Sequence, residues 1–279
     1  VQVCGPTDRW ARLIPELIRM RSSDASALGA LPEKGPQPFF SITCTVFDTP
    51  PEFLDQLFDC LQDQTFTDYE WMLLDNGSSQ PEVVARLASM SERDSRIRLF
   101  RVDDNIHIIP GNRYLLERAR GRYIVPIDSD DLVYRDALDL LARTLASDGA
   151  PGEAPDEVPD VAFSEECKTA SDGTPVEYIW RPSFSRLFSL STCPAAHVMA
   201  FRRELALEVD SYSDAYAQGS HDWDTCLQGR SCSSRALRMA DTRRVFGNER
   251  KGQGLSEELS GRRAWPRSAT NGLGGEVHG

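Results

Sequence analysis

Asp128-Ser129-Asp130-Asp131 sets three carboxylates within four positions, directly after the apolar run Tyr123-Ile124-Val125-Pro126-Ile127. Crowded like charges favour protonation of one another unless a cation neutralises them, and clustered oxygen ligands suit Mg²⁺ or Mn²⁺. A divalent ion held there would bridge a diphosphate and stabilise negative charge developing on a leaving nucleotide. Turns, helix N-caps and the metal sites of hydrolases and kinases use the same spacing, so alone it fixes the acidity and not the reaction.

Two more aspartates are placed in the same way. Asp48 closes the apolar run 39–47, and Asp75 opens the turn Asp75-Asn76-Gly77-Ser78-Ser79 after residues 69–74. Both runs are rich in β-formers and bounded by turn residues, which predicts buried strands. Further strands are expected at 97–102 and 122–127. Between them, Phe53, Leu54, Leu57, Phe58 and Leu61 recur at helical spacing behind Pro50-Pro51, and helices are expected at 83–90, 111–120 and 132–145. This alternation implies an α/β chain with a mostly parallel central sheet flanked by helices. Ligands of such sheets bind beyond the carboxyl ends of the strands, where Asp48, Asp75 and Asp128 would gather on one rim. The competing explanation for each is a cap on a helix or turn.

Residues 8–20 carry an apolar helical face and 22–38 read as a Ser/Gly/Pro-rich linker, so 1–38 is assigned as an N-terminal helix and linker. Residues 39–246 form the expected main domain, with 147–159 as an exposed loop and 161–163 and 176–180 as strands of a small second sheet portion joined by a turn at 171–174. Residues 247–279, rich in Gly, Ser, Arg and Glu, are expected to form a flexible tail.

A formal net charge of −12 over 279 residues opposes binding to nucleic acid. No apolar run approaches the ~20 residues of a membrane span, and residues 1–20 lack the uninterrupted apolar core of a signal peptide. Seven scattered cysteines without a C-x-x-C pair argue against structural zinc and suit a reducing, cytoplasmic setting.

Over residues 39–246 the chain resembles the family 2 glycosyltransferases of the GT-A fold, whose sheet is Rossmann-like. The segment 41–48 is similar to the family's first strand, with Thr45 and Asp48 where Pro and Asn are common. Residues 64–78 are similar to its second strand and D-D-G-S turn, with Asn76 in place of the second aspartate. Asn105 and Gly111-Asn112-Arg113 resemble the segment leading to the D-x-D motif, although the family more often sets Arg before the Asn. Gly219-Ser220-His221-Asp222-Trp223-Asp224 resembles the E-D-x-D motif, with His221 where Glu is usual.

The resemblance implies an inverting transfer of sugar from a UDP- or dTDP-sugar to a hydroxyl of a glycan, lipid-linked or small-molecule acceptor. Thr45, Phe47, Asp48, Asp75, Asn105, Asn112, Asp128 and Ser129 would surround the nucleotide sugar, with the aspartate of the turn on the base. Asp130, with Asp128, would hold Mn²⁺ or Mg²⁺, and Asp131 would cap the next helix. Asp222 would be the general base on the acceptor side. Arg243, Arg244 and Arg250 are candidate diphosphate contacts, His197 is a candidate acceptor-side residue, and Trp180 and Trp223 are candidates to stack on a sugar. Two other functions remain in view: a non-catalytic nucleotide-sugar or glycan-binding protein, and a nucleotidyltransferase.

Overall fold

The computed structural model describes residues 30–146, 159–169, 175–179, 198–213 and 239–250, with 165–169, 175–179 and 239–250 described by backbone alone. The expected N-terminal helix, most of the 147–159 loop, the 171–174 turn and the chain beyond 250 lie outside these residues.

The first half alternates as expected: β1 (Phe40–Val46), α1 (Pro51–Gln62), β2 (Tyr69–Asn76), α2 (Pro81–Arg93), β3 (Ile97–Val102), α3 (Ile108–Arg118) and β4 (Tyr123–Pro126). The four strands are parallel neighbours in the order β3-β2-β1-β4. The chain therefore moves outward from β1 through β2 to β3 and then returns to the other side of β1. That reversal opens a crevice at the carboxyl ends of β1 and β4, where open α/β sheets bind ligands.

Side-chain alternation divides the core into two layers. Trp71 and Leu73 of β2 join Phe40, Ile42, Cys44 and Val46 of β1 on the face covered by α1, α2 and α4 (Ala137–Leu145). Met72 and Leu74 point the other way, into the layer formed by Ile109, Leu115 and Leu116 of α3. Strands buried on both faces need little polar patterning, and every residue of β2 is buried. Two of them are carboxylates, Asp75 at the carboxyl end and Glu70 near the amino end. The Glu70 Oε1 accepts from Ser41 Oγ at 2.6 Å and from the Arg120 N–H at 2.7 Å, while Oε2 accepts from Arg98 Nη1 at 2.8 Å. Such pairing is what makes a buried carboxylate tolerable.

Beyond β4 the sheet continues through β8 (Met199–Arg202), β6 (Val161–Thr169) and β9 (Met239–Arg250) to β5 (Leu132–Val133), with β7 (Pro175–Ile179) on β6 off the main path. The small second sheet portion thus adjoins the parallel strands through the antiparallel β4–β8 pairing. A short helix, α5 (Arg203–Glu208), follows β8.

Three local expectations change. Residues 132–133 form a strand and α4 begins only at Ala137, because Leu132 and Val133 pair with Asn248 and Gly247 of β9. Asp131 accordingly does not cap that helix, whose N-cap position is Asp136. The β9 strand runs across residue 247, where the tail was expected to start, and pairs in parallel with β6. Its partners are distant in sequence and its own composition is polar, so periodicity could not reveal it. Finally, α3 begins at Ile108 and carries Pro110 in its first turn, where no intrahelical N–H bond is required.

Candidate active site

The crevice is bounded by three loops that leave β1, β2 and β4. Each is tied to another by side-chain bonds rather than by the sheet. Asp48 has φ 47°, a backbone state that Asp tolerates better than most residues. Its Oδ1 accepts from the N–H groups of Ser79 and Gln80 at 2.8 and 3.0 Å, and its Oδ2 from Ser79 Oγ at 2.8 Å. Burial works against its ionisation, but these bonds from Gln80 and Ser79 outweigh it and hold the carboxyl below its ordinary range. Asp48 therefore braces the turn after β2. Thr49 is buried and bonds across the crevice to Ser129, with the two hydroxyl oxygens 2.7 Å apart.

Asp75, at the end of β2, is buried. One oxygen accepts from the Ser78 N–H at 2.9 Å and the other from Arg101 Nη1 at 2.6 Å. Gly77 completes this turn with φ 79°, and a Cβ there would sit 2.6 Å from the Asn105 nitrogen. Next to it, Asn76 donates through Nδ2 to Asn105 Oδ1 at 2.9 Å and to the His107 carbonyl at 3.3 Å, and accepts from the Ile106 N–H at 3.1 Å. An aspartate could accept but not donate, so the amide at position 76 has a structural reason. The sequence reading missed His107. Its φ of 68° and ψ of 170° fall in a region that is essentially glycine-only, and Asn105 Oδ1 holds its N–H at 2.8 Å.

Thr45 and Asn112 meet directly, the threonine hydroxyl donating to Asn112 Oδ1 at 2.9 Å. Gly111 allows this approach, since a Cβ would lie 2.9 Å from Thr45 Cγ2. Arg113 points elsewhere and pairs with Glu117 and Asp210. Phe47 is 38% exposed although the preceding Val46 is fully buried.

On the β4 side, Ile127 still bonds to the Thr43 carbonyl at 2.9 Å, and the chain then turns, with the Asp131 N–H on the Asp128 carbonyl at 3.1 Å. Asp128 is exposed, Ser129 and Asp130 are half-buried and Asp131 is buried. The buried thiol of Cys44 registers their convergence. Burial raises its proton affinity first, and the charges of Asp128, Asp130 and Asp131 raise it further. Among the described residues no group of three or more His, Cys, Asp or Glu is arranged to hold a metal ion alone. The donor set fits a hard divalent cation that takes one or two carboxylates here and completes its shell with phosphate and water oxygens. Asp222, His221, His197, Trp180 and Trp223 lie outside the described residues, and of Arg243, Arg244 and Arg250 only the backbone, in β9, is described.

A parallel β3-β2-β1-β4 sheet with an acidic loop at its switch point defines a Rossmann-like α/β protein. The chain belongs to glycosyl transferase family 2, whose model matches residues 41–205. That match stops short of the segment containing Asp222. Among relatives, the uncharacterized protein y4gI of Sinorhizobium fredii is 26% identical over 68% of this chain and 20% of its own length. The O-antigen biosynthesis protein RfbC of Myxococcus xanthus is 23% identical over 67% of this chain and 14% of its own length. The chain thus spans a fifth or less of these two relatives. Among solved structures, TarS residues 1–349 of S. aureus in complex with UDP-GlcNAc superposes with a TM-score of 0.56 at 16% identity, over 78% of this chain and 60% of that one. GalNAc-T7 with UDP, GalNAc and Mn²⁺ superposes with a TM-score of 0.62 at 14% identity, over 78% and 45%. These likenesses agree with the GT-A fold expected from the sequence.

Proposed function

We propose that this protein is an inverting glycosyltransferase that moves a sugar from a UDP- or dTDP-sugar to an acceptor hydroxyl with the help of Mn²⁺ or Mg²⁺. The observation that carries this reading is that the loop after β1 is bonded both to the turn that follows Asp75, through Asp48 and Ser79, and to the acidic loop, through Thr49 and Ser129, in a family 2 chain. Both neighbours crystallised with UDP-type ligands share the fold, and one of them holds Mn²⁺.

In this reading Asp75 accepts a hydrogen bond from the base, and the exposed ring of Phe47 covers its apolar face. Asn105 binds the nucleoside, and Thr45 and Asn112 support it through their mutual bond. Asp48 acts through the Ser79-Gln80 turn. Asp130 and Asp128 would hold the divalent ion, which supplies charge neutralisation for the departing diphosphate. Ser129 orients that loop. Asp222 takes the proton from the acceptor hydroxyl as it attacks the anomeric carbon opposite the nucleotide. The acceptor is a glycan, a lipid-linked or a small molecule, and the setting is cytoplasmic. Cys44 is a free thiol, as a reducing compartment favours. No helix among the described residues is long and apolar enough to cross a membrane.

His221 in place of Glu favours a second reading, a nucleotide-sugar-binding protein without turnover. A nucleotidyltransferase fits less well, since Asp48-Thr49-Pro50-Pro51 offers no Gly-rich phosphate loop. Donor hydrolysis with Mn²⁺, wild type against Asp222→Asn, decides between them. Loss of turnover in the variant supports the enzyme; equal rates remove Asp222 from the mechanism, and absence of turnover with any nucleotide sugar favours the binding protein.

A further inference from the structure

Thr49 is one of the few buried polar side chains at the crevice, and nothing in the family resemblance assigns it a role. Its hydroxyl is bonded to Ser129, 80 positions away, inside the acidic loop. The β4 ladder ends at Pro126, and past the Ile127–Thr43 bond the backbone leaves the sheet and makes the local turn from Asp131 to Asp128, so the Thr49 hydroxyl reaches the loop where no strand pairing holds Ser129. The threonine itself is well anchored. On one side the Asp48 N–H donates to Ser78 Oγ at 3.1 Å and the Asp48 carboxylate grips Ser79 and Gln80. On the other side Pro50, at φ −50°, leads into α1 and restricts the residue before it.

We propose that Thr49 is a positioning residue that sets the cation affinity of the Asp128–Asp130 loop by fixing Ser129 between the two carboxylates. A flexible acidic loop must first be ordered, against charge repulsion, before it can share a cation with a diphosphate; a loop already tethered avoids much of that cost. Because Asp48 and Thr49 are adjacent, the same brace also links the turn carrying Asp75 to the acidic loop. This inference rests on reading the loop as a cation–diphosphate site.

The test is calorimetric titration of UDP, with and without Mn²⁺, into the wild type, Thr49→Val, Thr49→Ser and Ser129→Ala, with thermal unfolding of each. Valine keeps the shape and removes the hydroxyl; serine keeps the hydroxyl. In Thr49→Val, the factor by which Mn²⁺ tightens UDP should fall about three- to tenfold, the range of one hydrogen bond's net worth. Thr49→Ser should retain the wild-type factor. Ser129→Ala should match Thr49→Val, and the double variant should lose no more than either, since both delete one bond. A Thr49→Val protein that melts earlier yet keeps the full Mn²⁺ factor would overturn the role, and so would additive losses in the double variant. If the wild type itself gains nothing from Mn²⁺, the cation reading fails, and this inference with it. A normal wild-type gain with an unchanged variant sinks this inference alone.

Discussion

Asp75 and Arg101 stand opposite each other in the β2–β3 ladder, with a buried carboxylate 2.6 Å from a guanidinium that is about half exposed. The arginine also reaches the Ser78 carbonyl at 3.5 Å, so a single side chain holds both ends of the turn that carries the proposed base contact. Arg101→Met strands the carboxylate, and a loss of about 2 kcal/mol is expected in urea unfolding. UDP affinity should fall as well. Arg101→Lys should recover the charge but not the two-pronged geometry, and only part of the affinity.

The acidic loop should separate into unequal members. Asp130→Asn and Asp128→Asn should each weaken Mn²⁺-dependent UDP binding by at least about tenfold, since even groups that merely support a metal ligand cost that much. Asp131, buried and turned into the Asp128–Asp131 turn, should act on stability more than on metal affinity. Calorimetry and thermal melts on the three variants check this order. Wild-type metal affinity in all three would remove the loop from metal binding.

His107 occupies backbone space that suits glycine. Strain of this kind costs about 1–3 kcal/mol, and the added chain entropy of glycine returns about 0.5–1 kcal/mol of that. His107→Gly should therefore stabilise the protein by roughly 1 kcal/mol. A stabilised variant with weakened nucleotide binding would show that the strain serves the site. A destabilised one would mean that the imidazole has a structural contact of its own.

Acid should loosen the chain through Asp48 and Asp94. Burial opposes ionisation of Asp94, but the bonds from the Arg96 side chain and N–H, the Gln62 amide and the nearby Arg96 charge outweigh it, and its carboxyl lies below the ordinary 3.8. Asp48 is shifted the same way. A carboxylate depressed on folding contributes stability that is complete above its unfolded value and lost as pH falls through its folded one. Both contributions should be intact from about pH 5 upward and be lost progressively as pH falls below about 4 through the lower folded-state values. Denaturation midpoints from about pH 6 down to about pH 2, compared with Asp94→Asn, should show a shallower acid slope in the variant.

The strand–helix alternation and the acidic rim were legible because each element from 39 to 127 carries its own periodicity and its own stop signal. The apolar run 39–47 and the Asp75 turn needed no distant partner to be recognised. By contrast, β5 and β9 exist through each other and through β6, and neither sequence suggests a strand alone. In the site, residue types were readable while their partners were not. Asp48 was legible as a residue of the rim but not as the brace of the Ser79-Gln80 turn, and Asn76 as a replaced carboxylate but not as the amide that links Asn105 to His107. Hydrogen bonds across 30 or 80 positions leave no local trace.

Glu70 has a consequence for how such a chain can change over time. By fastening Ser41, Arg98 and Arg120 at the amino-terminal edge of three neighbouring strands, it makes that edge the rigid foundation of the sheet. The opposite edge, where the crevice lies, can then accept new side chains at positions that do not belong to its own braces. Libraries aimed at a different donor should vary the loops after β1, β2 and β4 around a fixed Asp48, Thr49, Asp75, Gly77 and Ser129, and leave the Glu70 corner untouched.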